Sequence, residues 1–400
     1  MIHSSNYKPR VFPIYADTLD TEIDRVQDLG STATLNRTKI QEVGRDGLVD
    51  WRKTTPNISV NLRQLEYGSI EFYRQLANKG STVSQISWTD FKTTAVDIAG
   101  YKTDDDNTFL GTIYYPDLRL SGFSINIGAP DAIIERSFNF AGEDEIALIN
   151  NNKYLIRGRY IIAATGSNQT VTVANPTPIA DPDNSGQFLF KVVKVSGGTA
   201  TKLDHGTQWS YNGSGTLTIN GSSTIGDIIW VWYSATTQGS QTIFVNNDAD
   251  LASIAAESCT ILLVTATHVS RLQSVAVDTS FDRRDIREIG TEPVVARGIR
   301  DITNRVTLGR ILENYTIEEV LRGKAGASYG KIDVREFTDN LSLIIKFYSD
   351  NTKTTFKLGY KYTDLAPVGL DASAPVNDYI TAGNTLEGEV GFVTITESIL

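Results

Sequence analysis

Along residues 57–78 the hydrophobic positions change period once. Ile58, Val60 and Leu62 interleave with Ser59, Asn61 and Arg63, the alternation of a strand with one dry and one wet face. Ser69 then stands where a helix starts, and Ile70, Tyr73, Leu76 and Ala77 fall on one face of it. The same order returns late in the chain. Val306 and Leu308 take the strand positions, Thr316 and Glu319 have the spacing of a capping box, and Ile317, Val320 and Leu321 share a helical face. Further strands follow each helix, most clearly at 356–362, where Phe356, Leu358, Tyr360 and Tyr362 alternate with Lys357, Gly359 and Lys361. Between the two regions QTVTVA, QFLFKVVKV, GTLTI and GDIIWVWYSA read as short strands between turns, and NDADLASIAAES (247–258) as a short helix.

The order recurs because the sequence does. TKIQEVG at 38–44 and RDIREIG at 284–290 stand 246 positions apart. Outward from them, Thr21, Arg25, Val26, Gln27 and Leu29 lie over Thr267, Arg271, Leu272, Gln273 and Val275 without a gap. LNR (35–37) lies over FDR (281–283), and SVNL (59–62) over RVTL (305–308). After one inserted residue, SIEF (69–72) meets TIEE (316–319), DLRLSG (117–122) meets DLAPVG (364–369), and AGEDEIAL (141–148) meets EGEVGFV (387–393). Two copies of about 130 residues are too few and too long for a solenoid, and read as a duplicated domain. The expected boundaries are 1–150 for the first copy, 151–266 for an inserted β-sandwich and 267–400 for the second copy.

Composition narrows the function classes. Abundant Tyr, Thr, Val and Ile favour a mainly β fold. A net charge of −10 argues against wrapping nucleic acid through its phosphates, which needs Lys/Arg clusters. The single cysteine, Cys259, excludes an internal disulfide framework. MIHSSNYKPR lacks the apolar core of a signal peptide, and the best apolar run, CTILLV at 259–264, has strand length. The expectation is a soluble protein without a membrane partner.

Motifs that carry chemistry are present only in outline. Gly326-Ala327-Ser328-Tyr329-Gly330 matches the nucleophile elbow, but a helix precedes it, a strand follows, and no histidine lies beyond His268. Asp181-Pro182-Asp183-Asn184-Ser185-Gly186 opens like a calcium loop, yet Val192 stands where the bidentate Glu belongs. Asp104, Asp105 and Asp106 read as a solvated loop tip. His3, His205 and His268 have no Cys or His at ligand spacing. No catalytic residue, cofactor or metal is expected, and the chain is not read as an enzyme. Trp230 and Trp232 alternate along one strand of the insert, offering either a partly exposed aromatic surface for sugar or a neighbouring subunit, or ordinary core packing.

The run TTPNISVNLRQLEYGSIEFYRQLAN (54–78), a strand carrying L-R-Q-L-E-Y-G-S before an amphipathic helix, resembles the tail tube proteins of long-tailed bacteriophages. The two repeats extend the resemblance over roughly two thirds of the chain. It implies tail-tube β-barrel or sandwich domains, each with one short helix, whose inner sheets join six to a ring. Two fused domains per chain imply trimeric, pseudo-hexameric rings, stacked into the tube that conducts DNA from capsid to host. The insert would be an immunoglobulin-like decoration. The implied partners are the chain itself and other tail proteins such as tape measure, terminator, baseplate and, in contractile tails, sheath. DNA would pass the lumen without specific binding, and the location would be the virion tail, assembled in the host cytoplasm. Loops RDGLVDWRKTTP (45–56) and TEPVVARGIRDI (291–302) are similar to family loops that reach the adjacent ring. They place Asp50, Trp51, Arg52 and Lys53, with Arg297, Arg300 and Asp301, among subunit or inter-ring contacts. A trimeric baseplate or tail hub joining tube to spike is the alternative, and a carbohydrate-binding or adhesion module built on the insert a second one.

Overall fold

The computed structural model describes residues 6–13, 21–23, 25–35, 37–40, 50–53, 55–103, 109–128, 132–150, 154–173, 176–180, 187–239, 252–264, 267–269, 271–286, 296–312, 315–322, 338–374, 379–389 and 394–398. The molecule is mainly β, with two six-residue α-helices among the described residues, Glu71–Leu76 and Thr316–Leu321.

Its centre is an antiparallel sheet of eight strands, four from each repeat. The order is Val26–Thr34, Asn57–Leu65, Glu135–Gly142 and the second half of Phe109–Ile127. It continues through Leu272–Ile286, Ala296–Ile311, Thr381–Glu389 and the second half of Phe356–Ser373. The long strands Phe109–Ile127 and Phe356–Ser373 also serve a second layer, pairing in their first halves with Val96–Thr103 and Leu341–Tyr348. Each turns the corner between layers at an aspartate with left-handed backbone, Asp117 (φ 51) and Asp364 (φ 57). Such a conformation is uncommon outside glycine and here bends the strand.

The sequence repeat is obeyed down to single hydrogen bonds. Arg25 and Arg271 are both left-handed, and their carbonyls accept from Leu65 N and Ile311 N. Glu66 N donates to Ile134 O and Leu312 N to Ile380 O, both at 2.8 Å. The phrase repeated at 38–44 and 284–290 begins on matching hairpin arms, where Thr38 faces Arg52 and Arg284 faces Gly298. The strand Cys259–Leu263 pairs with Leu341–Tyr348, so the stretch before position 267 already contributes to the second repeat's sheet.

The alternating residues lie where their period puts them: Ile58, Val60, Leu62, Val306, Leu308, Leu358, Tyr360 and Tyr362 are all buried. The apolar helix faces are buried too. Ser69 Oγ accepts from Glu71 N at 3.2 Å. The capping box expected at Thr316 does not form, because the helix starts at Thr316 itself and the cap position falls on Tyr315. The helix expected at 247–258 is, in its described part, a single 3-10 turn, Ala256–Ser258, before strand Cys259–Leu263. Small residues there carry no sustained apolar stripe to stabilise a longer helix.

The insert is a sandwich. One sheet orders Tyr154–Ile161, Ile228–Ala235, Leu189–Ser196 and Thr199–Lys202, and the other Gly166–Thr172, Thr216–Ser223 and Trp209–Tyr211. Its core is continuous with Ala99, Tyr101, Tyr114 and Leu148 of the first repeat.

Candidate assembly interface

The chain contains one complete contact between its repeats. In the eight-stranded sheet, Ile127, Ile125 and Phe123 face Val275, Val277 and Thr279 across the boundary, in register down to Gly122 and Ser280. In the second layer, Gln85–Ser87 of the first repeat extends the second repeat's sheet by pairing with Thr394–Thr396. Phe281 reaches over to Trp88 and Phe91, at centroid distances of 5.8 and 6.4 Å. Arg283 donates to three carbonyls of the first repeat, Leu120 at 2.6 Å, Phe91 at 2.9 Å and Lys92 at 3.2 Å.

A buried polar cluster closes the same boundary. Glu66 and Arg136 are 0% exposed and 3.0 Å apart. Glu66 Oε1 accepts from Tyr67 N and Gly68 N, and Oε2 accepts from the hydroxyl of Tyr360 in the second repeat at 3.0 Å. The Tyr360 and Tyr73 hydroxyls lie 2.7 Å apart. Burial pushes both phenols above their ordinary value, with Arg136 opposing and Glu66 reinforcing the shift. A buried ion pair is costly unless its remaining valences are satisfied. Backbone amides and a hydroxyl from the other repeat satisfy Glu66, and Gln64 Oε1 accepts from Arg136 Nε at 2.9 Å, while Arg136 Nη2 is left without a hydrogen-bond partner among the described residues.

The outer ends of the eight-stranded sheet are, among the described residues, bare. Among the described residues, Val26–Thr34 pairs within this sheet only with Asn57–Leu65, and Ala366–Ser373 only with Thr381–Glu389. Val275, Val277 and Phe281 are buried at the internal boundary. Their counterparts Leu29 and Ser31 are half-buried and exposed, and Leu35 is 63% exposed. At the far end Ala372, Ser373 and Ala374 are exposed. Bare edges on a long sheet invite another strand.

The face of this sheet turned from the core is polar. Register places Asp28, Thr32, Asn61, Arg63, Asn139, Ser124, Asp278, Arg305, Glu387 and Asp371 on it. Asn61 Nδ2 donates to Asn139 Oδ1 at 2.6 Å, and Arg305 faces Glu387 at 3.6 Å. Acids outnumber bases, with Asp28, Glu135, Asp278, Asp371 and Glu387 against Arg63, Arg119 and Arg305.

The residues expected at subunit contacts occupy the two arms. Asp50–Lys53 pairs with Arg37–Ile40, and Arg297, Arg300 and Asp301 belong to Ala296–Ile311. These stretches are strands rather than the loops their polar sequence suggested, since each continues a sheet strand outward. Arg300 is exposed and Asp301 half-buried. Trp230 and Trp232 form no open aromatic surface, being 1% and 0% exposed. Arg157 lies 3.6 Å above the Trp230 ring, and Lys191 5.1 Å from that of Trp232.

Lys191 marks how the insert is held. Its ammonium donates to Asp97 at 2.9 Å and Asp117 at 2.5 Å, and Lys202 adds a second cation at Asp117. Burial alone would lower the Lys191 pKa, but the two carboxylates more than offset it and hold it above the ordinary value. Ser328, Asp104 to Asp106 and the 181–186 turn lie outside the described residues. Among the described residues no cluster of His, Cys, Asp and Glu could hold a metal, and no helix is long and apolar enough to cross a membrane. His205 packs on Trp209 at 4.4 Å.

Sequence reading missed the ends of the sheet, Phe281, Arg283 and the Glu66 cluster. The alignment of LNR over FDR was the available signal for the second and third of these.

No protein-family model matches the chain, and no curated protein matches it. Among solved structures, the tube-terminating cap of the anti-feeding prophage is similar over 40% of this chain and 100% of its own, with 16% identity and a TM-score of 0.29. The six-fold symmetrised baseplate of the same particle is similar over 36% of this chain and 93% of its own, with 12% identity and a TM-score of 0.26. Likeness at that level carries no functional inference.

Proposed function

We propose that the chain is a structural protein of a phage tail, the subunit of a tail tube built from trimeric, pseudo-hexameric rings. The observation that carries the reading is that the internal boundary between repeats also specifies a boundary between chains. Each repeat presents, on one side, the edge that its twin uses or leaves bare on the other. A head-to-tail contact of this kind repeats until it closes as a ring or runs on as a filament. The internal register, moved by the repeat spacing, sets Thr32 opposite Asp371 of the next chain, as Asp278 stands opposite Ser124. Three chains would then close a barrel of about twenty-four strands, from eight per chain.

Other features fit this reading. The polar, mildly acidic face becomes the lumen, where small Asn, Ser and Thr side chains and an excess of carboxylates over arginines disfavour the retention of phosphates. The arms carrying Asp50 to Lys53, Arg297, Arg300 and Asp301 become contacts with the adjacent ring, and the insert an immunoglobulin-like knob on the outer wall. Backbone equivalence between the repeats supports a tube over a hub, whose two domains have less reason to stay alike. The enclosed Trp230 and Trp232 leave the sugar-binding alternative without its surface.

The test is a disulfide between chains. Thr32→Cys and Asp371→Cys lie at opposite ends of the eight-stranded sheet, about 34 Å apart at the usual strand spacing, and cannot join within one chain. Oxidation should give a covalent ladder that stops at the trimer. No inter-chain link, or a ladder continuing past the trimer, would overturn the closed ring.

A further inference from the structure

We infer that Arg37, with Leu35 beside it, is the anchor by which one chain grips the next, an assignment that rests on the ring reading above. Arg283 shows what such an anchor does. It spends Nε and both terminal nitrogens on three carbonyls across the internal boundary, while Phe281, 3% exposed, fills the space against Trp88 and Phe91. A guanidinium is suited to this task, because its fork of donors is rigid and permanently charged.

Arg37 stands at the Arg283 position in sequence and in register. Arg37 faces Lys53 as Arg283 faces Ile299, and Thr38 faces Arg52 as Arg284 faces Gly298. Unlike its twin, Arg37 is exposed, and Leu35, the twin of Phe281, is 63% exposed. An exposed large aliphatic and an exposed guanidinium just past the edge strand Val26–Thr34 are the two elements of the internal anchor. Among the described residues no surface of their own chain receives them as the first repeat receives Phe281 and Arg283.

That surface recurs at the other end of the chain. The Leu120 carbonyl, which Arg283 holds, comes just before a β-bulge, with Leu120 facing Phe140 and Gly122 facing Asn139. Pro367 occupies the same place, facing Leu386 before a bulge that brings Gly369 opposite Thr385. Pro367 is half-buried and Val368 beside it 56% exposed. The occupant that fits is a second copy of this chain, its Arg37 donating to the Pro367 carbonyl and its Leu35 covering the neighbouring apolar surface.

The experiment compares wild type, Arg37→Ala, Arg37→Lys, Leu35→Ser and the control Arg63→Ala, an exposed arginine on the polar face. Sedimentation gives the chain concentration at half-assembly, and circular dichroism melting checks the fold. Arg37→Ala should raise that concentration by about tenfold or more, the loss expected for charge-assisted hydrogen bonds. Arg37→Lys should fall between, Leu35→Ser should weaken assembly, and Arg63→Ala should leave it unchanged. Melting of the unassembled chain should not move, since both anchor side chains are exposed in it. Assembly of Arg37→Ala and Leu35→Ser at the wild-type concentration, with the Thr32→Cys/Asp371→Cys link still forming, would overturn the anchor and leave the ring standing. Absence of that link in the otherwise wild-type chain would remove the ring and the anchor with it.

Discussion

Tyr360 belongs to the second repeat, yet its hydroxyl completes the coordination of Glu66 in the first. Removing that contact leaves a buried carboxylate short of a partner, so the two repeats are coupled by more than strand pairing. The same phenols give a pH signature. Burial raises Tyr73, Tyr114, Tyr360 and Tyr362 above the ordinary tyrosine value of 10.0. A raised pKa in the folded state means that folding retains protons the unfolded chain would release. The stabilisation is therefore complete below about pH 10 and is lost as pH climbs beyond it. Melting temperature should hold between neutrality and about pH 10 and then drop steeply, with a part of the tyrosinate absorbance, that of the buried phenols, appearing only on unfolding. The full tyrosinate absorbance of the chain reached while it is still folded would show that these phenols are reached by solvent.

At the scale of elements, what matters is how the insert is mounted. Chain connections alone would leave a sandwich swinging. Here it shares a core with the first repeat, and Lys191 sits in a socket formed by Asp97, Asp117 and the ring of Trp232. Tyr114 Oη donates to the same Asp97 carboxylate at 3.0 Å, which keeps that buried charge satisfied on a second side. Lys191→Met should cost about 3–5 kcal/mol, because it leaves Asp97 charged and buried without its cation. Adding Asp97→Asn should recover much of the loss, since the uncompensated charge goes with it. Urea unfolding followed by tryptophan fluorescence gives both values, and an equal cost for single and double variants would contradict an ion-pair origin.

For the whole molecule, the consequence of joined sheets is a wall with two different faces. One is packed against a second layer; the other, where Asp28, Glu135, Asp278, Asp371 and Glu387 outnumber Arg63, Arg119 and Arg305, faces the lumen in the proposed ring. Replacing Asp278 and Glu387 by Lys should turn a surface that ignores DNA into one that retains it. Retention would weaken sharply between about 50 and 200 mM salt as counterions compete. Assembled wild-type rings should leave linear DNA unretarded in a gel at either salt. Equal retention by wild-type and variant rings would place this face away from the DNA path.

How much of this the chain announced depends on the range of the interaction. Alternation of Ile58, Val60 and Leu62 and the helical spacing of Ile70, Tyr73 and Leu76 are local, so strand and helix were legible from residues a few positions apart. Duplication was legible because the correspondence is written into the sequence itself, at 246 residues for Arg25 with Arg271 and, past one inserted residue, at 247 for Asp117 with Asp364. The helix expected at 247–258 is, in its described part, only a 3-10 turn, and the cap expected at Thr316 falls on Tyr315, because residue types that favour a helix do not by themselves fix where it starts or how far it runs. Lys191 meeting Asp97, Tyr360 meeting Glu66 and Arg283 meeting Leu120 join residues that no period relates. Likewise Trp230 and Trp232 read alike as open surface or as core until the first repeat was seen packed into the same core as the insert. Local pattern is enough to decide which residues can form a face. Only the folded chain decides what that face meets, because burial and charge pairing depend on distances that sequence separation does not encode.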